Sequence, residues 1–241
     1  MHKLLSTITI VAIQYFPLTV NAQPAVPADS IQQVVAAKLM TNFIDGNFYT
    51  ERLISRAELA SIMVKAFRLD KRQAISKENL TVTDVAPSNP AFNDIQIVLK
   101  TDIMKGYRGN MFFPNQKVTR AEALAIFAQA YGVFQFPDDT VNEILASHPD
   151  AQTIPDWAKK AIATVISEGF VNTDAQGNIA PLKPMTRGDM AYVLSQYLQR
   201  QQPQPETPEA PPAPNRWGGG EDGGSGGVGE WEAGGEGGQG K

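Results

Sequence analysis

Three arginines occur in one short phrase. Arg56 stands in Ser55-Arg56-Ala57-Glu58, Arg120 in Thr119-Arg120-Ala121-Glu122, and Arg187 in Thr186-Arg187-Gly188-Asp189. A Ser or Thr followed three residues later by an acid is the signature of a capping box. The hydroxyl accepts from the N–H of the third helical residue, and the acid accepts from the N-cap N–H. Each phrase therefore predicts a helix start, with Ser55, Glu58, Thr119, Glu122, Thr186 and Asp189 as its caps. Capping asks for no arginine at the first helical position. A guanidinium beside the free N–H groups of a helix N-terminus suits an anion. The plainer reading of each arginine is a solvated side chain or an ion pair to a neighbouring repeat; recurrence at three helix starts favours ligand contact.

Other chemistries find no residues to run on. The chain has no cysteine, which excludes disulfides, thiolate metal sites and a cysteine nucleophile. Beyond the N-terminal leader the histidine is His148, so neither a His-based triad nor a multi-histidine metal site can be assembled. One acid per helix start is not a pair of carboxylates facing each other across a cleft, as glycoside hydrolysis requires. The stretch from Asp174 to Asn178 lacks the alternating acids and terminal Glu of a calcium loop and reads as a turn. The expectation is a binding protein with no catalytic residues, metal or cofactor.

The elements that carry the arginines repeat with them. The second copy aligns with the first at an offset of 64 residues and the third with the second at 67, without gaps. Ile31, Ile95 and Ile162 correspond, as do Val34, Val98 and Val165, then Leu39, Ile103 and Phe170, and Phe48, Phe112 and Ile179. Each unit reads as helix, loop, helix. Trp157, Ala161, Ile162, Val165, Ile166 and Phe170 give the leading helix of the third unit an apolar face. Glycine and asparagine break the chain at Asp45-Gly46-Asn47, at 106–110 and at 174–178. A short extended piece and the boxed helix follow. One unit of about 50 residues buries too little surface to stand alone, but three can share a core. The apolar leading helices are expected to face one another, with boxed helices and loops outside. Between the second and third units, 141–146 is expected to add a helical turn or two.

The two ends differ from this body. Lys3, an apolar run from Leu4 to Phe16 and Val20-Asn21-Ala22 fit a secretion signal over residues 1–22, cleaved before Gln23. No later stretch is apolar enough to span a membrane. From Gln201 the chain turns Pro-rich and then Gly-rich, so 201–241 reads as a disordered acidic tail. Its seven acids, against Arg216 and Lys241, give it a net charge of −5 out of a chain total of −4 and leave a nearly neutral body of +1, which offers no footprint for nucleic acid.

The repeat resembles the S-layer homology (SLH) domain. The residues that carry the resemblance are Asp84-Val85, Trp157-Ala158, Ala161-Ile162, Ile103-Met104-Lys105-Gly106, Met111-Phe112-Phe113-Pro114 and Thr119-Arg120-Ala121-Glu122. They place SLH-like repeats at 25–70, 82–133 and 149–200. The resemblance implies a mainly α fold, with three helix-loop-helix repeats in a pseudo-threefold prism around a central three-helix bundle. It implies grooves between repeats that bind cell-wall glycan, often pyruvylated and linked to peptidoglycan, with Arg56, Arg120 and Arg187 meeting the ketal carboxylate. Asp84, Trp157 and Tyr107 join the glycan-contact candidates, Trp157 as core or groove wall rather than a stacking platform and Tyr107, like Tyr49, as a loop aromatic that packs locally or stacks on sugar. Departures from the pattern favour the second groove and rank Arg120 first, then Arg56, then Arg187: the second repeat has Pro90 at the tryptophan position but an intact box, the first has no tryptophan, and the third has no clear F-x-D-V opening and carries Gly188 and Asp189 in its box. The expected protein is exported to the periplasm or cell wall and anchors there without catalysing a reaction. An assembly protein binding another envelope protein through its tail, and a wall hydrolase, are the alternatives.

Overall fold

The structure is a computed structural model that describes residues 26–72 and 78–202. The leader and residues 203–241 of the acidic tail lie outside the described residues; Gln201, the first residue of that tail, closes the last helix instead. Seven α-helices form, with no strand beyond isolated bridges among the described residues. They are α1 (Ala28–Ala36), α2 (Arg56–Phe67), α3 (Phe92–Lys100), α4 (Arg120–Tyr131), α5 (Asp138–Ala146), α6 (Lys159–Ser167) and α7 (Arg187–Gln201). Helices α1, α3 and α6 lead the three repeats; α2, α4 and α7 are the boxed helices; α5 fills the longer interval before the third repeat.

The leading helices stop in one way. After each, a residue with positive φ (Lys38 at 59°, Asp102 at 57°, Gly169 at 75°) reverses the chain. The next residue then donates its N–H back to the helix: Leu39 to Val34, Ile103 to Val98 and Phe170 to Val165, at 3.0, 3.0 and 2.8 Å. This is a Schellman closure, and its apolar residue packs back on the helix. It explains why Leu39, Ile103 and Phe170 recur in the sequence: all three are buried.

The repeats interlock rather than stack. Helix α3 packs on α2, α6 on α4, and α1 on α7, so each boxed helix takes as neighbour the leading helix of the following repeat and the third closes on the first. Just before the boxed helices, Ile54 N–H donates to Met185 C=O, Met185 N–H to Val118 C=O and Val118 N–H to Ile54 C=O. These three residues occupy one position of the repeat, all are buried, and their cyclic bonds mark the pseudo-threefold axis.

The helices that converge are the boxed ones, which corrects the expectation that the leading helices meet. Phe67 of α2, Phe127 of α4 and Tyr197 of α7 come together with ring centroids 5.0–5.7 Å apart, and Tyr131 and Phe170 join them. The reason lies in the distribution of apolar residues. Helix α4 buries Ala121, Ala123, Leu124, Phe127, Ala128 and Ala130 around most of its circumference. Helix α1 buries only Ser30 and Val34. A helix apolar all round belongs inside, and a one-sided helix belongs at the surface. Burial, with a hydrogen bond to Glu168, pushes the Tyr131 phenol up to about 12.

Gly188, which reads in sequence as a weakened helix start, is fixed by space. A Cβ there would lie 2.9 Å from Val26 Cγ2, 3.1 Å from Thr50 Cβ and 3.2 Å from Thr50 O. Its N–H donates to that same Thr50 carbonyl at 2.8 Å. Gly188→Ala is expected to destabilise by about 1–2 kcal/mol, because overpacking outweighs the better helix propensity of alanine. Urea denaturation checks this, and an unchanged or raised midpoint would refute it.

Candidate functional site

The boxed helices present the three arginines at equivalent positions, and each reaches into the next repeat. Arg56 donates from Nε to Phe112 O at 2.8 Å and from Nη2 to Lys105 O at 2.7 Å. Arg120 donates from Nε to Ile179 O and from Nη2 to Asn172 O, both at 2.7 Å. Arg187 donates from Nε to Phe48 O at 3.0 Å and from Nη2 to Thr41 O at 2.7 Å. The acceptors hold the same two positions of each repeat. The arginines are 6%, 1% and 5% exposed. They therefore have a folding role that capping logic could not reveal: they tie the turn of one repeat to the helix start of the one before.

The third guanidinium nitrogen separates the copies. Arg187 Nη1 pairs with Glu58. Arg120 Nη1 lies 3.0 Å from Asp189 Oδ1, off the hydrogen-bonding axis, and Asn172 Nδ2 donates to that same oxygen at 2.7 Å. By symmetry Arg56 should pair with Glu122. Instead Glu122 turns back to its own cap: its Oε2 accepts from Thr119 N–H at 2.8 Å, and Thr119 Oγ1 accepts from Glu122 N–H at 3.2 Å. Arg56 Nη1 has no hydrogen-bond or ion-pair partner among the described residues.

The caps divide accordingly. Thr119–Glu122 and Thr186–Asp189 form complete boxes. Ser55 Oγ accepts from Glu58 N–H at 3.2 Å, but the Glu58 side chain goes to Arg187 instead of returning to the cap.

Arg56 opens on a groove of about 460 Å³. Glu122, Ala125, Ile126 and Gln129 of α4 form one wall; Trp157 and Lys160 form the other. All three repeats contribute to it. Trp157 is 64% exposed, on the turn of 3₁₀ helix (Asp156–Ala158) before α6, and belongs to the groove wall rather than to the core. Burial pushes the Arg56 guanidinium below the ordinary arginine value, opposed by Tyr107, Glu122 and Asp84. Arginine keeps its charge under such a shift. The ring centroids of Phe112 and Tyr107 lie 4.6 and 4.9 Å from its guanidinium carbon and hold it in place. The arrangement combines a desolvated cation, an apolar wall and an exposed indole.

Two candidates from the sequence do not reach this groove. Tyr107 backs the Arg56 guanidinium and lines a separate cavity of about 500 Å³ with Leu80, Val82 and Met111. Asp84 is occupied: Oδ1 accepts from Phe112 N–H at 2.8 Å and Oδ2 from Phe113 N–H at 2.7 Å. It clamps the turn whose carbonyl holds Arg56 and so positions the arginine. Asp150 does the same in the third repeat, accepting from Ile179 and Ala180 N–H at 2.9 and 2.7 Å. The third repeat therefore has its opening acid, contrary to expectation. The gapless offset hid it because Asp150 stands one residue out of register. Asp150→Ala is expected to lower stability by about 2 kcal/mol through the loss of two charge-assisted bonds; a thermal melt within 1 °C of the parent would contradict this.

Comparison with known proteins agrees with this architecture. The family model of the S-layer homology domain matches residues 23–60, 83–124 and 149–191, about half of the chain. The chain is similar to the Surface-layer 125 kDa protein of Lysinibacillus sphaericus, 28% identical over 181 residues that make up 74% of this chain and 14% of that protein. It is similar to Exoglucanase XynX of Acetivibrio thermocellus, 25% identical over 71% of this chain and 15% of that protein. It is also similar to the Cellulosome-anchoring protein of the same species, 24% identical over 68% of this chain and 36% of that protein. The matched region is thus a minor part of each relative. With three matched repeats and the three-repeat ring they build, this chain belongs to the S-layer homology domain family.

Proposed function

We propose that the chain anchors at the cell wall by binding an anionic wall polysaccharide, pyruvylated and linked to peptidoglycan, in the groove at Arg56. The observation that carries this is the third nitrogen of Arg56, unpaired among the described residues, in the groove that Trp157 also lines, where the equivalent nitrogens of Arg120 and Arg187 already face carboxylates. A ligand carboxylate there completes the ion pair that Glu122 does not make, and charge-assisted contacts to a preformed guanidinium are among the stronger polar contacts. The sugar packs against the exposed Trp157 ring. Relatives named as surface-layer and anchoring proteins support the anchoring reading. The protein is exported and acts as a binding module, not as an enzyme. Arg120 and Arg187 serve the fold.

Co-sedimentation of the full chain with purified wall sacculi tests the reading. Removing pyruvate ketals from the sacculi is expected to abolish most binding; undiminished binding would sink the carboxylate mechanism. Loss of wall material during incubation would favour hydrolysis instead.

A further inference from the structure

The acid at the third position of each boxed helix takes a different direction in each repeat. In α2, Glu58 leaves its cap and pairs with Arg187. In α7, Asp189 serves both partners: Oδ2 accepts from the Thr186 hydroxyl at 2.7 Å, and Oδ1 faces Arg120 Nη1 at 3.0 Å. In α4, Glu122 serves its cap: Oε2 accepts from Thr119 N–H at 2.8 Å and from the Thr119 hydroxyl at 3.1 Å. The arginines themselves are posed alike, with Nε and Nη2 on the same two carbonyl positions of the next repeat. What separates the copies is the direction of the carboxylate. The two threonines bond the acid's side chain through their hydroxyls, whereas the Ser55 hydroxyl bonds only the Glu58 N–H.

Glu122 lines the same groove as Arg56, and Thr119 is not among the residues that line it. Either direction gives the Glu122 carboxylate a good partner, the capping box or a charge-assisted contact to the guanidinium. We infer that Glu122 is a built-in competitor for the Arg56 groove, and that the Thr119 hydroxyl is the latch that holds it aside. On its cap, Glu122 leaves the guanidinium to a ligand carboxylate. Turned onto Arg56, as Glu58 is turned onto Arg187, it seals the groove. This rests on the reading of the groove as a site for an anionic glycan. A ligand that binds one of two states has its affinity scaled by the population of that state, so the latch tunes wall binding without touching the ligand. It also sharpens specificity: a glycan with a carboxylate can take the place of Glu122 on Arg56, whereas a neutral glycan offers the guanidinium no exchange.

Two measurements on the full chain test this. A crystal structure of Thr119→Val without ligand is expected to show the Glu122 carboxylate on Arg56; a carboxylate still turned to its helix cap would overturn the inference. In co-sedimentation with purified wall sacculi, Thr119→Val is expected to weaken binding about fivefold, the weight of one N-cap hydroxyl in the balance, and Thr119→Ser to restore it. Glu122→Gln still caps but carries no charge; it is expected to bind more tightly than the parent and to cancel the loss when combined with Thr119→Val. Thr186→Val removes the equivalent hydroxyl from α7 and is expected to lower the melting temperature with affinity per folded molecule unchanged. An affinity loss as large as that of Thr119→Val would mean that cap loss alone weakens binding, and would count against the latch. Binding that depends on the pyruvate ketals yet is equal in the parent, Thr119→Val and Glu122→Gln would overturn the latch alone. Binding that ignores the ketals would sink the groove reading, and the latch with it.

Discussion

Arg120→Ala is expected to destabilise the protein by about 3–5 kcal/mol and to lower its melting temperature by roughly 10 °C. The side chain is 1% exposed and among the largest fully buried ones. Its removal strands the Ile179 and Asn172 carbonyls and leaves Asp189, itself 3% exposed, as a buried carboxylate without its cation. Breaking such a pair from one side leaves an uncompensated buried charge, which is why the expected loss exceeds that of a surface ion pair. A cycle with Asp189→Asn should show the two changes to be strongly non-additive. Guanidinium denaturation supplies the measurement; a loss below 1 kcal/mol would show that the arginine is not a structural tie.

That expectation reverses the reading the sequence invites. Helix starts, turns, repeat register and the mainly α character were legible, because capping boxes and apolar spacing are local signals. The neighbour of each boxed helix was not, since nothing in a repeat states whether its helices pair within the unit or with the next one. The same blindness applied to the arginines. An Arg at the first helical position looks unemployed until the carbonyls at Lys105, Asn172 and Thr41 are seen beside it, 49, 52 and 146 residues away. The acids were read as caps, but Glu58 forgoes its box for Arg187 and Glu122 keeps its box at the expense of Arg56. The difference between these near-identical phrases is one of side-chain direction, which spacing does not encode. The second copy, intact as sequence, is sealed as structure; the first is the open one.

Arg56→Lys should weaken binding to wall sacculi by about 10- to 100-fold, as loss of one charge-assisted contact of roughly 1.5–3 kcal/mol implies. Lysine keeps the charge but loses the planar fork that serves Phe112, Lys105 and the ligand together. Trp157→Ala removes the opposite wall of the groove. Its indole is exposed, so the fold should hold while affinity falls by a comparable factor. Arg187→Lys is the control: lower stability with unchanged affinity per folded molecule. Isothermal titration with solubilised wall polysaccharide, alongside melts of each variant, separates the two quantities. Equal affinity losses for Arg56→Lys and Arg187→Lys would argue against a single open groove.

The cyclic bonding of Ile54, Met185 and Val118, together with α1 seated on α7, has a consequence for how the molecule comes apart. Open arrays of repeats lose end units one at a time, because an end unit has only one interface. Here no unit is terminal. Deleting any one repeat breaks two of the three interfaces at once, so unfolding should be all-or-none. The closing contact joins Ser30 to Ser195 across 165 residues of chain. It carries the largest loop-closure entropy of the interfaces and should form last. A nascent chain therefore has no complete domain until its final helix is made.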